Sequence, residues 1–395
     1  MDAFARCSSR AAAVALGLAL AASCVDDLPP IEGTTSFRVD LVSPVDPGSE
    51  DDRLDDDARD LVVTITALDA DGDDDTGFSG TVDFYAHYLG SLTPRIDSGS
   101  VLATINVDGG AADNVAVSLP PVFGPTFLWA ENTRGDSPSF AAGTSPLLWF
   151  RDPQLADIST PVDEAAPDAY SRSPLEQKQV VVRGSRYGDA GRMIATGSYA
   201  QGYTVSDVQC ADTDGTPPCV SGAYDHVFVF TFSRPEDQNG DTIRVGQLIT
   251  EVGGGVSEFN GLTEIGFPST VASDRVPDEA QLPEPVVIDP TWLTSRIELE
   301  RAEAALVAVE NGVLCPLDDD FDTYGQWKLD VGQGCDDPFN IITKGQVSEF
   351  DPAGYVGQTI PRVVGTLRPV NILNTNGPFD VWIIYPRDVD DLTLP

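Results

Sequence analysis

A run of closely spaced aspartates is the first candidate for metal chemistry in this sequence. Asp69, Asp71 and Asp73 alternate along the chain, and carboxylate oxygens are the ligands that Ca²⁺ prefers. A calcium loop of the EF-hand type that begins at Asp69 needs Gly at its sixth position and Glu at its twelfth, where this chain has Asp74 and Gly80. The pattern is therefore typical of a solvated hairpin turn. An irregular calcium site shared with another loop is the alternative, and no other cofactor is expected.

Acid-base chemistry has few candidate residues. The chain has two histidines, and a period of two places His226 on the same strand face as Phe228, which predicts a half-buried structural imidazole. His87 has no partner at metal-ligand spacing. Glu258 and Glu264 form a conceivable acid-base pair, although a structural use in a strand and hairpin fits the pattern better. We therefore predict that the protein is not an enzyme.

Aromatic side chains could bind a ligand by stacking. Tyr203, Tyr324 and Trp327 lie in segments predicted as strands or their flanks, and they could form a platform for bases or sugars. Packing in a core explains the same residues equally well. Lys328 is the one basic residue directly beside them in the sequence, so sugar rings fit the electrostatics better than phosphodiesters.

The charge balance limits the class of partner. The 395 residues include 23 Lys and Arg against 63 Asp and Glu, a formal net charge of -40. Each phosphate contact in a nucleic-acid complex needs a local cation, so nucleic acid is an unfavourable partner for this chain. The 36 Gly and 30 Pro indicate many turns and therefore short strands rather than a helical bundle.

Four cysteines predict two disulfides in an exported protein. Cys210 and Cys219 flank a Pro/Gly-rich insert, and Cys315 and Cys335 flank an Asp-rich one. Three pairings are conceivable, and the local one, in which each pair closes a surface loop, fits best. Zinc is the competing interpretation, but these spacings do not match a zinc finger or ribbon.

The N-terminal segment predicts export and a lipid anchor. Arg6 and Arg10 precede an Ala/Leu run that ends in small residues before Cys24, which is the layout of a secretory signal. The sequence Leu-Ala-Ala-Ser-Cys at 20–24 resembles the signal of bacterial lipoproteins, and that resemblance implies acylation of Cys24. Val25 follows where inner-membrane retention usually has Asp, so we expect the outer membrane or cell surface, with a secreted or periplasmic protein as the alternative.

The next part of the chain has the pattern of a β-sandwich. Seven short runs with a period of two lie between residues 36 and 161, with Leu61, Val63 and Ile65 on one face of a strand. The Asp/Gly turn after Leu68 and the following Phe-Ser-Gly-Thr-Val at 78–82 resemble the Ig-like domains of bacterial surface proteins. This resemblance implies an Ig-like sandwich.

The C-terminal region resembles one module of a known family. The motifs are Gly-Asp-Thr-Ile-Arg-Val at 240–245, Glu-Phe-Asn-Gly-Leu-Thr-Glu at 258–264 and Pro-Arg at 386–387, and a capping box at Ser295 predicts one short helix over 298–304. They resemble the OB-fold module of large extracellular bacterial nucleases. The resemblance implies a five-stranded barrel, with the helix between its third and fourth strands. Ala304 and Ala305 depart from the usual Glu-Gly, and the nuclease domain of those proteins does not follow the module in this sequence.

These observations predict an all-β protein with an N-terminal Ig-like sandwich and an OB-fold-like barrel. The predicted parts are a signal peptide at 1–23, a tether at 24–35, the sandwich at 36–161, a linker at 162–175 and the barrel at 176–392. We expect a non-catalytic lipoprotein of the cell envelope that attaches to the membrane through its anchor and binds or scaffolds a protein or glycan. The alternative is an OB-fold lipoprotein that binds nucleic acid at the surface.

Overall fold

The structure is a computed structural model that describes residues 33–89, 100–132, 141–165, 172–336, 338–370 and 381–395. The predicted signal peptide, Cys24 and most of the tether lie outside these ranges. No helix within the described ranges has the length and apolar sequence needed to cross a bilayer. The described chain is built mainly of β-strands arranged in three sheets, as the composition predicts.

The first sheet has eight strands in the described ranges. They are β1 Ser36–Ser43, β2 Asp60–Leu68, β3 Gly80–Tyr88, β4 Ala103–Val107, β5 Ala111–Ser118, β6 Pro125–Glu131, β7 Ala142–Thr144 and β8 Leu148–Trp149. Their order is β4-β3-β6-β7-β1-β2-β5, with β8 on β6, and β1 pairs with β7 in parallel. Leu61, Val63 and Ile65 are buried as the period of two predicts.

The second sheet closes on itself. Its strands are β9 Gln179–Arg183, β10 Gly191–Tyr199, β11 Gly202–Gln209, β12 His226–Phe230, β13 Leu248–Phe259 and β14 Leu262–Ala272. The order is β10-β11-β12-β14-β13, and β13 also pairs with β10, so these five strands form a closed barrel with β9 added beside β13. The third and fifth strands, β12 and β14, are parallel. We call these five strands the first barrel.

The third sheet closes in the same order. Its strands are β15 Val286–Val287, β16 Leu306–Leu314, β17 Gln326–Asp330, β18 Phe339–Ile342, β19 Thr359–Val370, β20 Val381–Tyr385 and β21 Leu392–Thr393. The order β16-β17-β18-β20-β19 is closed by pairing of β19 with β16, and β18 and β20 are parallel. We call these five strands the second barrel.

Two sequence predictions about this region need correction. A single barrel is predicted over 176–392, but the described residues of that range form two closed sheets. One short helix is predicted between strands of that barrel. The described residues of that range instead contain two, α2 Arg296–Arg301 and α3 Asp319–Tyr324, and a third helix, α1 Leu155–Ser159, lies before it. The predicted helix corresponds to α2, which precedes the first strand of the second barrel. The sequence did not reveal two barrels because barrel closure depends on pairing between strands that are far apart in the chain.

Both predicted disulfides are confirmed. Cys210 is bonded to Cys219 beside the first barrel, and Cys315 is bonded to Cys335 beside the second. Helix α3 lies inside the second loop, where Lys328 Nζ pairs with Asp318 at 2.5 Å and with Asp320 at 2.7 Å. The Asp-rich insert is therefore a capped helix held by a cation.

The three sheets pack through shared contacts. One continuous cluster of buried side chains extends from the first sheet into the first barrel, and α1 packs against β12. The two barrels meet through side-chain hydrogen bonds: Tyr199 Oη donates to Thr366 Oγ1 at 2.6 Å, and Arg387 Nη1 donates to the Thr196 carbonyl oxygen at 3.3 Å. These contacts place the ends of both barrels around one cleft.

Candidate ligand-binding cleft

A cleft of about 470 Å³ lies between the two barrels. This volume is within the range of small-molecule binding sites. The first barrel contributes the β10–β11 turn, the exposed end of β12 and the β13–β14 turn. The second barrel contributes β19, β20 and the loop at 344–346. Both barrels are therefore needed to form its walls.

The wall from the first barrel is aromatic. Phe228 and Phe230 lie on β12, where strand alternation directs both toward the same side of the sheet, and Phe259 is at the tip of the β13–β14 hairpin. Phe228 is buried, Phe230 is half-buried and Phe259 is exposed. Leu262 and Ala304 pack beneath Phe228 and support this wall.

The hydrogen bonds at the base of the cleft fix its shape. Burial raises the pKa of Tyr199 to about 12, so its hydroxyl stays protonated and donates to Thr366. Gln346 Nε2 donates to the carbonyl oxygens of Ser198 at 3.3 Å and Arg387 at 3.1 Å, which ties the second-barrel loop to the first barrel. The relative position of the two walls is set before a ligand arrives.

The wall from the second barrel carries positive charge. The guanidinium carbon of Arg368 lies 3.9 Å from the ring centre of Tyr385 and 5.9 Å from that of Phe228, both of which line the cleft. Lys344 is exposed at the cleft margin. Cation–π contact of this kind orients a guanidinium without neutralising it.

One carboxyl group faces these cations. Glu264 is buried on the first-barrel side of the cleft, and its burial raises its pKa, whereas Ser257 and the positive charge of Arg368 act in the opposite direction. Ser257 Oγ donates to Glu264 Oε1 at 3.3 Å. The cleft thus has two cations and one carboxyl group on walls that are otherwise aromatic and amide-rich.

An aromatic ledge extends the cleft outward. We use this name for the side chains of Phe230, Phe232 and Phe267, whose ring centres lie 4.4 Å and 4.8 Å apart in that order. Phe232 and Phe267 are 53% and 83% exposed and have φ values of +60° and +50°. A bulky residue with positive φ is strained, and such strain is concentrated at functional sites.

The predicted aromatic platform is not assembled. Tyr203 is buried inside the first barrel, where its hydroxyl lies 2.9 Å from Thr270 Oγ1, and Trp327 is buried inside the second. Tyr324 is 48% exposed on α3. Each closed barrel turns one face of every strand inward, so Tyr203 is buried in the core of the first barrel and Trp327 in the core of the second. Core packing therefore accounts for both rings.

Glu258 and Glu264 do not form the acid-base pair considered from the sequence. Glu258 lies opposite Thr263 and Glu264 lies opposite Ser257, and neighbouring positions on a strand face opposite sides of the hairpin. Glu258 instead approaches Glu300 and Glu303, whose pKa values are raised first by burial and also by the negative charge of Glu258. None of these three lines the cleft.

The other predicted site residues have structural roles. Asp69 Oδ1 accepts hydrogen bonds from the backbone N–H groups of Asp71 and Asp73, each at 3.0 Å, so the first carboxylate organises the turn. No group of three or more His, Cys, Asp or Glu among the described residues is arranged to hold a metal ion. His226 is buried with Nδ1 2.8 Å from Ser206 Oγ, and burial lowers its pKa to about 3.

Sequence reasoning missed the cleft residues of the second barrel. Arg368 and Tyr385 lie on strands whose pattern resembles any buried barrel strand, and Lys344 lies in a loop. The one available signal was the unusual pair of Phe228 and Phe230 on the strand face that also carries His226. No family model, curated protein or solved structure matches the chain.

Proposed function

We propose that this protein is a non-catalytic, exported lipoprotein of the cell envelope, anchored through Cys24, that binds a glycan in the cleft between its barrels. The observation that carries this proposal is the position of the cleft on the first barrel. It lies against the β10–β11 turn, β12 and the β13–β14 turn. In an OB-fold these correspond to the loop between strands one and two, the face of strands two and three, and the loop between strands four and five, which bind oligosaccharides and oligonucleotides.

The strand order supports assignment of both barrels to the OB-fold. In each, the first three strands are consecutive neighbours, the fifth lies parallel to the third, and the fourth closes on the first. The pairings of the first sheet support an Ig-like sandwich in the same way. Strands β1, β2 and β5 neighbour one another, as do β3, β6 and β7, which matches the two sheets of that fold.

A binding role agrees with where the displaced pKa values lie. The glutamates and the histidine with the largest shifts, including Glu258, Glu300 and His226, are enclosed elsewhere in the fold; in the cleft, burial raises the pKa of Glu264 and keeps the Tyr199 hydroxyl protonated. Aromatic rings and amide side chains such as Gln201 and Asn260 also line the cleft. Rings stack on the apolar faces of sugars, while amides exchange hydrogen bonds with hydroxyls.

Oligonucleotide binding is the second candidate, because OB-folds also bind single strands and because Arg368 and Lys344 supply cations at the cleft. The net charge of -40 opposes it. A single-stranded tract needs a groove of positive charge that follows its backbone.

Removal of cleft aromatics should weaken glycan binding by about tenfold per ring, in line with the roughly 1–3 kcal/mol contributed by a stacking ring. Phe259→Ala and Phe230→Ala are the test variants, and Tyr324→Ala is the matched control because it removes an exposed ring outside the cleft. Affinity electrophoresis through gels that contain neutral or acidic polysaccharides measures the effect. Unchanged retardation of the cleft variants, or loss only with Tyr324→Ala, would place the site elsewhere.

A further inference from the structure

Two cations line the cleft, and one of them, Arg368, acts electrostatically on the buried carboxyl group of Glu264. Neither Arg368 nor Lys344 forms an ion pair with any described residue, although the chain has 63 acidic residues to 23 basic ones. Arg183, Arg186 and Arg387 are paired with carboxylates, whereas Arg234, Arg244 and Arg275 form no ion pair with a described residue but are exposed outside the cleft. In a protein with this excess of carboxylates, cations that stay unpaired inside a cleft indicate a negative charge supplied from outside.

The geometry of Arg368 suits a carboxylate. Its ring contact with Tyr385 at 3.9 Å holds the planar group in place, and its N–H donors have no acceptor among the described residues. A guanidinium presents these donors as a fork that matches the two oxygens of a carboxylate. Glu264 does not occupy that position, since it accepts a hydrogen bond from Ser257 and forms none with Arg368.

We propose that the glycan bound by this protein carries uronic-acid units, and that Arg368 receives the carboxylate of one unit while Lys344 provides a second positive charge at the cleft margin. This inference rests on the proposed glycan-binding function. The aromatic ledge extends the site, because the exposed rings of Phe232 and Phe267 continue outward from Phe230. The ligand is therefore an oligosaccharide whose sugars pack on the ledge and whose acidic unit enters the cleft.

Charge density favours an acidic glycan over a nucleic acid. A single strand carries a phosphate at every nucleotide, and each one needs a nearby cation to offset the repulsion of a chain with a net charge of -40. Two cations match one or two carboxylates. They do not form a track along a polyphosphate backbone.

The test uses calorimetric titration of the full mature chain with short oligomers of galacturonate, mannuronate and glucuronate. Each is compared with its methyl ester, which keeps the sugar rings and removes the charge, and with oligothymidylate of equal length. We expect at least one acidic oligomer to bind, and its ester to bind about 10- to 100-fold more weakly, as for loss of a charged hydrogen bond.

Variants locate the effect. Arg368→Gln should weaken acidic-oligomer binding as much as esterification does, and Lys344→Gln, at an exposed position, should weaken it severalfold. Arg368→Lys should fall between wild type and Arg368→Gln because it keeps the charge and loses the fork. Arg362→Gln is the control on the same strand, outside the cleft.

The possible outcomes distinguish failure of the uronate inference from failure of the proposed glycan-binding function. Equal binding of acid and ester, with loss in Phe259→Ala, would overturn the uronate inference and leave a glycan-binding cleft. Tighter binding of oligothymidylate would overturn both in favour of nucleic acid. Absence of binding by every acidic oligomer would overturn the uronate inference, and the gel assay with neutral polysaccharides would then decide the function.

Discussion

Raising the pH from 6.5 to 9 should lower the free energy of unfolding by about 3 kcal/mol from Glu258 and Glu300 alone, because these two and Glu303 form one cluster that holds protons in the folded state. Burial raises the pKa of Glu258 to about 7. Burial and the charge of Glu258 raise that of Glu300 to about 8, and burial raises that of Glu303 well above its ordinary value. All three lose these protons in the unfolded chain near their ordinary pKa of 4.5. Stability is therefore greatest at lower pH and falls as the pH rises through 7 to 8.

The cluster joins three segments of the fold. Glu258 Oε1 accepts hydrogen bonds from the Ser173 N–H and from Thr263 Oγ1, and Glu303 Oε1 accepts one from the Thr263 N–H, all at 2.9 Å. Glu303 Oε2 is buried with no hydrogen-bond partner among the described residues, so its ionised form is poorly solvated. Ionisation thus opposes the contact between the first barrel, the segment before β9 and the segment after α2.

Denaturant unfolding between pH 6.5 and 9 measures this effect. The window begins at 6.5 because His226, whose folded pKa is about 3, costs stability as the pH falls below its unfolded value near 6.5. Glu258→Gln combined with Glu300→Gln should reduce the pH dependence by half or more, while Glu298→Gln on the same helix should leave it unchanged. A wild-type stability that is flat or rises toward pH 9 would contradict the account.

Trp327→Ala should destabilise the protein by about 3–5 kcal/mol, the usual cost of removing a fully buried large aromatic side chain. Trp327 is 1% exposed in the core of the second barrel, where its ring centre lies 5.3 Å from that of Phe350. Its Nε1 donates to Thr343 Oγ1 at 3.1 Å, so the substitution also leaves a buried hydroxyl without its donor.

Urea unfolding of this variant distinguishes core packing from a ligand platform. Tyr324→Ala is the control, because that ring is exposed on α3, and we expect it to cost less than about 1 kcal/mol. If Trp327→Ala unfolded at the same urea concentration as wild type, the ring would not stabilise the core. The ligand-stacking role considered from the sequence would then be the better explanation of Trp327.

Local features of the fold were predictable from the sequence, and its closure was not. The period of two that places Leu61, Val63 and Ile65 inward, and the spacing of the cysteine pairs, are properties of short segments. Barrel closure depends on β10 with β13 and on β16 with β19, which are paired across long sequence separations. A strand that begins the second barrel has the same local pattern as one that ends the first.

The candidate site was predictable on one side only. Phe228 and Phe230 stand out on a strand face in the sequence, whereas Arg368 and Tyr385 reach the cleft only because the two barrels dock. Tyr203 and Trp327 were considered as a platform because alternation identifies a strand face without telling which face a closed barrel turns inward. The net charge disfavours nucleic acid at this cleft as it did at the platform considered from the sequence. The cations of the cleft stand out because acidic residues greatly outnumber basic ones in this chain.

Hydrogen exchange measured by mass spectrometry, with and without saturating acidic oligosaccharide, tests the inter-barrel cleft most directly. Binding there should slow exchange in peptides that contain the β10–β11 turn, the β13–β14 turn and the Arg368 segment of β19, and leave the first sheet unchanged. Protection confined to the first sheet, or unchanged exchange in all cleft peptides, would contradict the account.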